Sequence, residues 1–472
     1  MWVPGGHPSG VPAISRLRHC HIRIFTGGTP VLNRPGHHRG AGWRLLLAFM
    51  LLFSAHEARA ADLSIITSYP PSFYEPFQRA FEARNPDIRV TVVQRNTGSA
   101  SRFILEKPEV AADIFWASAT DAFELLKRKG ALRAIQPRQT GAPERILGYP
   151  VNDPEGFYLG FALSGYGLVY NAAYLAQYDL PVPQNWQDLL MPVYAGHIGI
   201  TSPSRSGTTH LIVEALLQTY GWERGWALLS ELGGNLSTVT ARSFGVASGV
   251  AQRRFGIGVT IDFLAKAPDV SGAENVFVLT PDPLYVPANI AILSRARNAE
   301  AAERFVDFLF SQEGQDILLR PAIGRIPVRA ALNAGLLPAE NTGGLLAANG
   351  FNARLSAERY GIVNLIFDDY IVRRRAMLAR LWARLRALEG EAAGDAGRRS
   401  TLASVRRLLG TPPLSSEDVE RLAEGLKGEW PRGIARTTEQ QAFARDIRGA
   451  VERNLARAES LLVGISTAAG RR

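Results

Sequence analysis

A single cysteine, Cys20, occurs in 472 residues, and it lies close to the N-terminus. Beyond it no disulfide, thiolate nucleophile or cysteine metal site can form. Histidine is almost as scarce: six of the eight precede residue 61, which leaves His197 and His210. Two histidines are a thin supply for imidazole catalysis or a multi-histidine metal site. There is no G-x-S-x-G, no Walker loop and no H-E-x-x-H, so the common signatures of an acyl-transfer, nucleotide-hydrolysing or zinc enzyme are missing. No enzyme, metal or cofactor is expected. A basic central face is missing too, despite a net charge of +10. Residues 1–61 carry seven Arg and one acid, and residues 341–472 carry 22 basic against 15 acidic residues. The middle is therefore near neutral, which argues against a nucleic-acid partner.

Long apolar runs are also few. Leu45–Phe53 is too short to span a bilayer. It follows Arg39 and Arg44 and precedes Ala58-Arg59-Ala60, the order of a cleavable secretory signal with its cut near Ala60. The expected address is the periplasm. Some 38 residues precede the signal, which suggests a true start further downstream, for instance at Val31. Residues 1–61 are then an N-terminal extension plus signal peptide.

From residue 62 the chain alternates strand, loop and helix. Leu63–Thr67 and Ile88–Val93 read as strands, with Phe73, Phe77 and Phe81 on one helical face between them. Strands are also expected at Ile114–Trp116, 160–171, His197–Ile200, 255–261 and in "ENVFVL", with helices after most of them. "NWQDLLMPVY" reads as a helix, and 298–320 as one continuous helix. Alternation of this kind argues a parallel α/β sheet. After about residue 340 the sequence becomes rich in Ala, Leu and Arg with helical spacing, "GEAAGDAGRRS" reads as a loop, and Thr437–Leu462 as a further helix.

Five stretches in series carry a resemblance: "IITSYPPSFYEPFQRAFEARNPDIRV", "ADIFWASATDAFELLKRKGAL", "YGLVYN", "NWQDLLMPVYAGHIGITSPSRSGTT" and "NIAILSRARNAEAAERFVDFLFSQEGQDIL". Together they resemble the substrate-binding proteins of bacterial ABC importers, in the group that includes the periplasmic ferric-ion binders. The long helical C-terminus is similar to the phosphoglycerate transport regulatory subgroup. The resemblance implies an α/β, two-lobed type II periplasmic-binding-protein fold with an added all-α extension. Lobe one would be 62–160 plus 290–340, lobe two 170–283, and the extension 341–472, with strands crossing near 157–171 and 284–294. It also implies a solute held between the lobes and an ABC permease as partner.

Four polar loops would face such a cleft: Thr67-Ser68-Tyr69, Asn96-Thr97-Gly98-Ser99, Ala117-Ser118-Ala119-Thr120 and Ser204-Arg205-Ser206-Gly207-Thr208-Thr209. Hydroxyls and glycine at a helix start either cap the helix or cradle an anion. Arg205 and Arg242 would add charge-assisted bonds, and Asp262 either accepts from a ligand or caps "FLAKA". His210 reads as a helix-face residue beside the site. The iron binders' tandem tyrosine pair is missing at Asp262-Phe263-Leu264, and "TSYPPS" holds no histidine. The expected ligand is therefore a small organic anion, phosphorylated or carboxylated. The tail keeps a second function open, a sensor component signalling to a membrane histidine kinase. Its basic stripe "VRRRAMLARLWARLR" could also lie on anionic lipid, and Asp368-Asp369 reads as remote from the cleft.

Overall fold

A computed structural model describes residues 61–469 except 110–111, 137, 147–148, 268–273, 281–284, 330–350, 393–394 and 426–437. The expected signal peptide, Cys20 and the six early histidines lie outside the described residues. Leaving aside four two-residue strands, the strands are β1 (Ala61–Thr67), β2 (Ile88–Gln94), β3 (Ile114–Ala117), β4 (Leu159–Asn171), β5 (Ile198–Thr201), β6 (Leu236–Thr240), β7 (Ile257–Ile261), β8 (Asn275–Leu279) and β9 (Tyr285–Leu293). They run in the order β2-β1-β3-β9-β4-β7-β5-β6, with β8 also on β4. The β1–β2, β1–β3, β5–β7 and β5–β6 pairs are parallel.

β4 joins the two halves. From Leu159 to Gly165 it pairs antiparallel with β9, which continues onto β3. From Tyr166 onward it pairs with β7, and from Gly167 with β8. The chain therefore changes partners within one strand, so the two halves of the sheet share a continuous backbone connection. The central strands β3, β4, β5, β7 and β9 are buried on nearly every residue. That is why they read as apolar runs rather than alternations.

The helices up to residue 320 are α1 (Pro71–Arg84), α2 (Thr97–Glu106), α3 (Thr120–Arg128), α4 (Ala172–Gln177), α5 (Gly207–Tyr220), α6 (Trp222–Asn235), α7 (Phe244–Ala251), α8 (Asp262–Ala265), α9 (Ala299–Phe310) and α10 (Gln312–Leu319). Phe73, Phe77 and Phe81 of α1 are buried as their spacing requires. Two expectations are corrected. The helix expected over 298–320 is two helices. Ser311 turns extended and its hydroxyl caps Gly314 N, which starts α10 afresh. The segment "NWQDLLMPVY" forms only two 3₁₀ turns, Asp188–Leu190 and Pro192–Tyr194. Pro192 cannot donate to a continuing helix and holds Met191 extended.

The tail contains α11 (Ala353–Ile366), a π-helical stretch (Phe367–Val372), α12 (Arg375–Glu391), α13 (Ala396–Gly410), α14 (Ser416–Gly425) and α15 (Thr438–Ala469). Most of the expected loop at 390–400 is helical, because Asp395 accepts from Arg398 N and caps α13. The tail packs on α6, and Gly233-Gly234 explains how. A Cβ on Gly234 would lie 2.9 Å from Trp382 Cδ1, so only glycine admits the buried indole. One apolar cluster runs from Leu63 to Leu462, and Arg59–Arg472 forms one compact unit. No described helix is long and apolar enough to cross a membrane.

Part of the basic stripe packs inward, while Arg373, Arg380 and Arg384 are exposed. Arg373 pairs with Asp369, Arg374 with Glu452 and Arg386 with Glu231, while Arg375 donates to Leu236 and Ser237 carbonyls. Arg374, Arg375 and Arg386 are thus committed to partners within the chain. α11 also lies along the seam between α3 and α5. Arg359 forms a buried pair with Glu214 at 2.8 Å. His210 Nδ1 meets Asn364 Oδ1 at 3.0 Å, and its Nε2 meets Ser356 Oγ at 3.2 Å and Asp121 Oδ2 at 3.5 Å.

Candidate anion-binding cleft

Each of the four polar loops ends a strand and starts a turn or helix. Thr67 closes β1: its hydroxyl donates to Trp116 O (2.8 Å) and accepts from Tyr69 N (3.1 Å). This fixes the turn that carries Ser68 and Tyr69. The Tyr69 ring lies 4.2 Å from Phe73 and 5.3 Å from Trp116 between ring centres. Its hydroxyl is then 2.8 Å from Ser118 Oγ, at the end of β3.

The other two loops open helices. Asn96 Oδ1 accepts from Ser99 N at 2.8 Å and caps α2. Ser206 Oγ accepts from Thr209 N at 3.1 Å and caps α5. A capped helix still leaves its earliest amides unused. Among the described residues, the amides of Thr97, Gly98, Gly207 and Thr208 meet no acceptor. Capping and anion cradling are thus compatible here, since the cap takes one amide and leaves two.

These parts surround a cavity of about 40 Å³. One wall is Ser68, Tyr69, Asn96, Thr97 and Ser118; the other is Arg205, Ser206, Gly207, Thr208 and Arg242, with Ser243, Phe244, Phe263, Leu264 and Pro70 completing it. The walls touch at Gly207. A Cβ there would lie 2.6 Å from Ala119 Cβ and 3.1 Å from Thr97 Oγ1, so glycine lets the start of α5 close onto the opposite loops. No carboxylate or imidazole lines the cavity among the described residues. Arg205 is exposed, Arg242 half-buried, and neither has a carboxylate partner among the described residues. The inventory is amides, hydroxyls and guanidinium groups. It can hold an oxyanion, and it contains no nucleophile–base pair.

Nine of the thirteen residues expected from sequence line the cavity: Ser68, Tyr69, Thr97, Ser118, Arg205, Ser206, Gly207, Thr208 and Arg242. Four do not. Gly98 packs toward Ser204 O, and Ser99 and Thr209 give their amides to the caps. Asp262 is 3% exposed, and its carboxylate accepts from Gly165 N (2.9 Å) and Phe263 N (2.6 Å). It ties the crossing strand to α8 and does not face the cavity. Burial raises its pKa, against the Gly165 amide and Arg325. His210 is fully buried in the seam behind the first turn of α5. Asp368, expected far away, accepts from Ser202 Oγ at the base of the Arg205 loop.

Arg325 was not legible as a site residue. It is 2% exposed and reaches Tyr69 and Ser118 from behind the wall. Nothing in "LRPAIGRIPV" marks it, because the strand–loop–helix signal that marks the other loops is absent there.

Comparison with known proteins agrees with this architecture. Residues 110–352 match the family model described as bacterial extracellular solute-binding protein. Over 376 residues the chain is 30% identical to the phosphoglycerate transport regulatory protein PgtC of Salmonella typhimurium, covering 79% of this chain and 92% of that protein. The fold is also that of AfuA from Actinobacillus pleuropneumoniae, solved with fructose-6-phosphate bound, at 20% identity and TM-score 0.60, covering 66% of this chain and 98% of that one. Iron-bound HitA from Pseudomonas aeruginosa has the same fold at 18% identity and TM-score 0.53, covering 64% and 99%. The architecture is the two-lobed type II periplasmic-binding-protein fold with a helical C-terminal extension. With a sheet that changes partners along β4 and a donor-lined cavity between its halves, this chain belongs to the bacterial extracellular solute-binding proteins.

Proposed function

We propose that the protein captures a small organic anion, phosphorylated or carboxylated, and delivers it to an ABC permease. The observation that carries this is the lining. Two helix N-termini with unused amides, from opposite walls, meet the hydroxyls of Ser68, Tyr69, Ser118 and Ser243 and the guanidinium groups of Arg205 and Arg242, with no carboxylate in the lining among the described residues. Positive helix ends and charge-assisted donors favour an anion. The names of PgtC and AfuA point the same way. The volume fits the head of one oxyanion or a few waters at ~10–15 Å³ each, so a larger ligand would hold the walls further apart. The lobe boundaries, 62–160 with 290–340 and 170–283, belong to this proposal. They are supported by the change of partners near Gly165. A signal peptide cut near Ala60 belongs to it as well.

The test is calorimetric titration with 3-phosphoglycerate, fructose 6-phosphate, neutral fructose and ferric citrate, alongside native mass spectrometry of the purified protein. Binding of a phosphate ester but not of fructose is expected. Binding of ferric citrate or fructose alone would sink the reading.

One observation favours a second role, sensing. The tail reaches the Arg205 loop through Ser202–Asp368 and spans the seam through α11. The tail therefore touches the base of the loop that carries Arg205. Hydrogen exchange that slows across 353–372 on ligand binding would support it.

A further inference from the structure

Arg325 leaves the turn after α10. Its amide donates to Leu318 O at 3.0 Å, and the next two residues pair with Leu163 and Ala162 of β4. The backbone is thus fixed on both sides. Its guanidinium carbon lies 4.0 Å from the ring centre of Phe263, 5.0 Å from Tyr69 and 5.2 Å from Phe73. No carboxylate reaches ion-pair distance among the described residues, and its Nε has no partner there. A guanidinium taken out of water without a direct counter-ion carries a desolvation cost that aromatic faces offset only in part.

Its remaining donors settle a proton count. Nη1 donates to Tyr69 Oη at 3.1 Å, and Nη2 donates to Ser118 Oγ. The two oxygens are 2.8 Å apart. Guanidinium only donates, so both oxygens accept from it. The pair owns two hydroxyl hydrogens, and one makes the Tyr69–Ser118 bond. The second cannot turn to Arg325, and no other acceptor takes it among the described residues. Tyr69 and Ser118 both line the cavity, so the free hydrogen has the cavity to point into.

We propose that Arg325 sets the polarity of the cleft by committing the Tyr69–Ser118 hydroxyl pair to donate to a ligand oxyanion, a phosphoryl or carboxylate oxygen. The same arrangement rejects an ammonium group or a metal cation at this wall, since donor hydrogens and a buried positive charge face it. Arg325 acts through the hydroxyls and is a positioning residue. The inference rests on the anion reading above, but the polarity of the pair can be measured independently of any physiological ligand.

The experiment has two arms on the full chain. Crystals of the wild type and Arg325→Met are soaked in bromide and the anomalous signal is mapped. Inorganic phosphate is titrated by calorimetry into the same proteins, with Arg325→Lys, Ser118→Ala and Tyr69→Phe. Bromide within hydrogen-bond reach of Tyr69 Oη or Ser118 Oγ is expected in the wild type and not in Arg325→Met. Phosphate affinity should fall roughly tenfold or more in Arg325→Met, about one charge-assisted hydrogen bond, and Arg325→Lys should restore part of it. If Arg325→Met does not fold, Ser118→Ala and Tyr69→Phe replace it, and each should lose the bromide. Bromide at the pair with no phosphate binding would uphold the polarity while removing the anion function. A wild-type cleft with bromide elsewhere, or a folded Arg325→Met that keeps both bromide and phosphate, overturns the proposal.

Discussion

At Gly207 the first turn of α5 meets Ala119 and Thr97 with no room for a methyl group. Gly207→Ala should therefore wedge the walls apart while leaving each fold intact. If the closed state falls to a tenth of the population, apparent affinity drops about tenfold. Calorimetry with the best ligand of the panel would show it, with little change in melting temperature. A second residue-scale test concerns Glu214, fully buried beside Arg359. Burial pushes its pKa up, and Arg359, His210 and Gln218 pull it back below the usual 4.5. A depressed carboxylate contributes stability above its unfolded value and loses it as the pH falls through the folded one. Urea melts between about pH 3 and 6 should show the wild type losing stability more steeply than a Glu214→Gln/Arg359→Met double variant. Equal slopes would mean the pair contributes no pH dependence. Arg359→Met alone leaves a buried carboxylate unpaired and should cost ~3–5 kcal/mol.

Among elements, α12 was legible as a helix and α6 was not expected, and the relation between them was not legible either. The sequence marks it only as two glycines inside a helix, Gly233-Gly234, where glycine is otherwise unfavourable. The structure supplies the reason in Trp382, which is 1% exposed and donates to Ser230 Oγ. Trp382→Ala should cost ~3–5 kcal/mol, read as a lower urea midpoint. A loss under 1 kcal/mol would mean the α6–α12 contact matters little. α9 and α10 make the opposite point. Their apolar spacing continues across Ser311, so periodicity alone joins them, and the cap at Gly314 separates them.

For the whole molecule, the tail shares its core with the sheet-bearing part, from Leu63 to Leu462. Removal of residues 351–472 would uncover α6 around Trp222, Ser230, Gly233 and Gly234 and leave His210 and Glu214 without Asn364, Ser356 and Arg359. The truncated chain should be insoluble or melt far below the full one, as a thermal scan of both would show. A soluble truncation with an unchanged melt would instead make the tail an independent appendage.

The sequence by itself determined most of the strands and helices, though not α6, β6, α7 or the break at Ser311, and it determined the polar loops at strand ends and the neutral middle of the chain, because these follow from local apolar spacing, caps and composition. It also indicated nine cavity-lining residues, since hydroxyl-rich loops at strand ends carry a local signal. Only the tertiary structure decided that Asp262 is turned to the Gly165 and Phe263 amides, that Asp368 reaches Ser202, and that Arg325 stands behind Tyr69 and Ser118. Those placements depend on side chains brought together from up to 256 residues apart. No local pattern encodes such a meeting, because it is set by how the packed halves and the tail share one core.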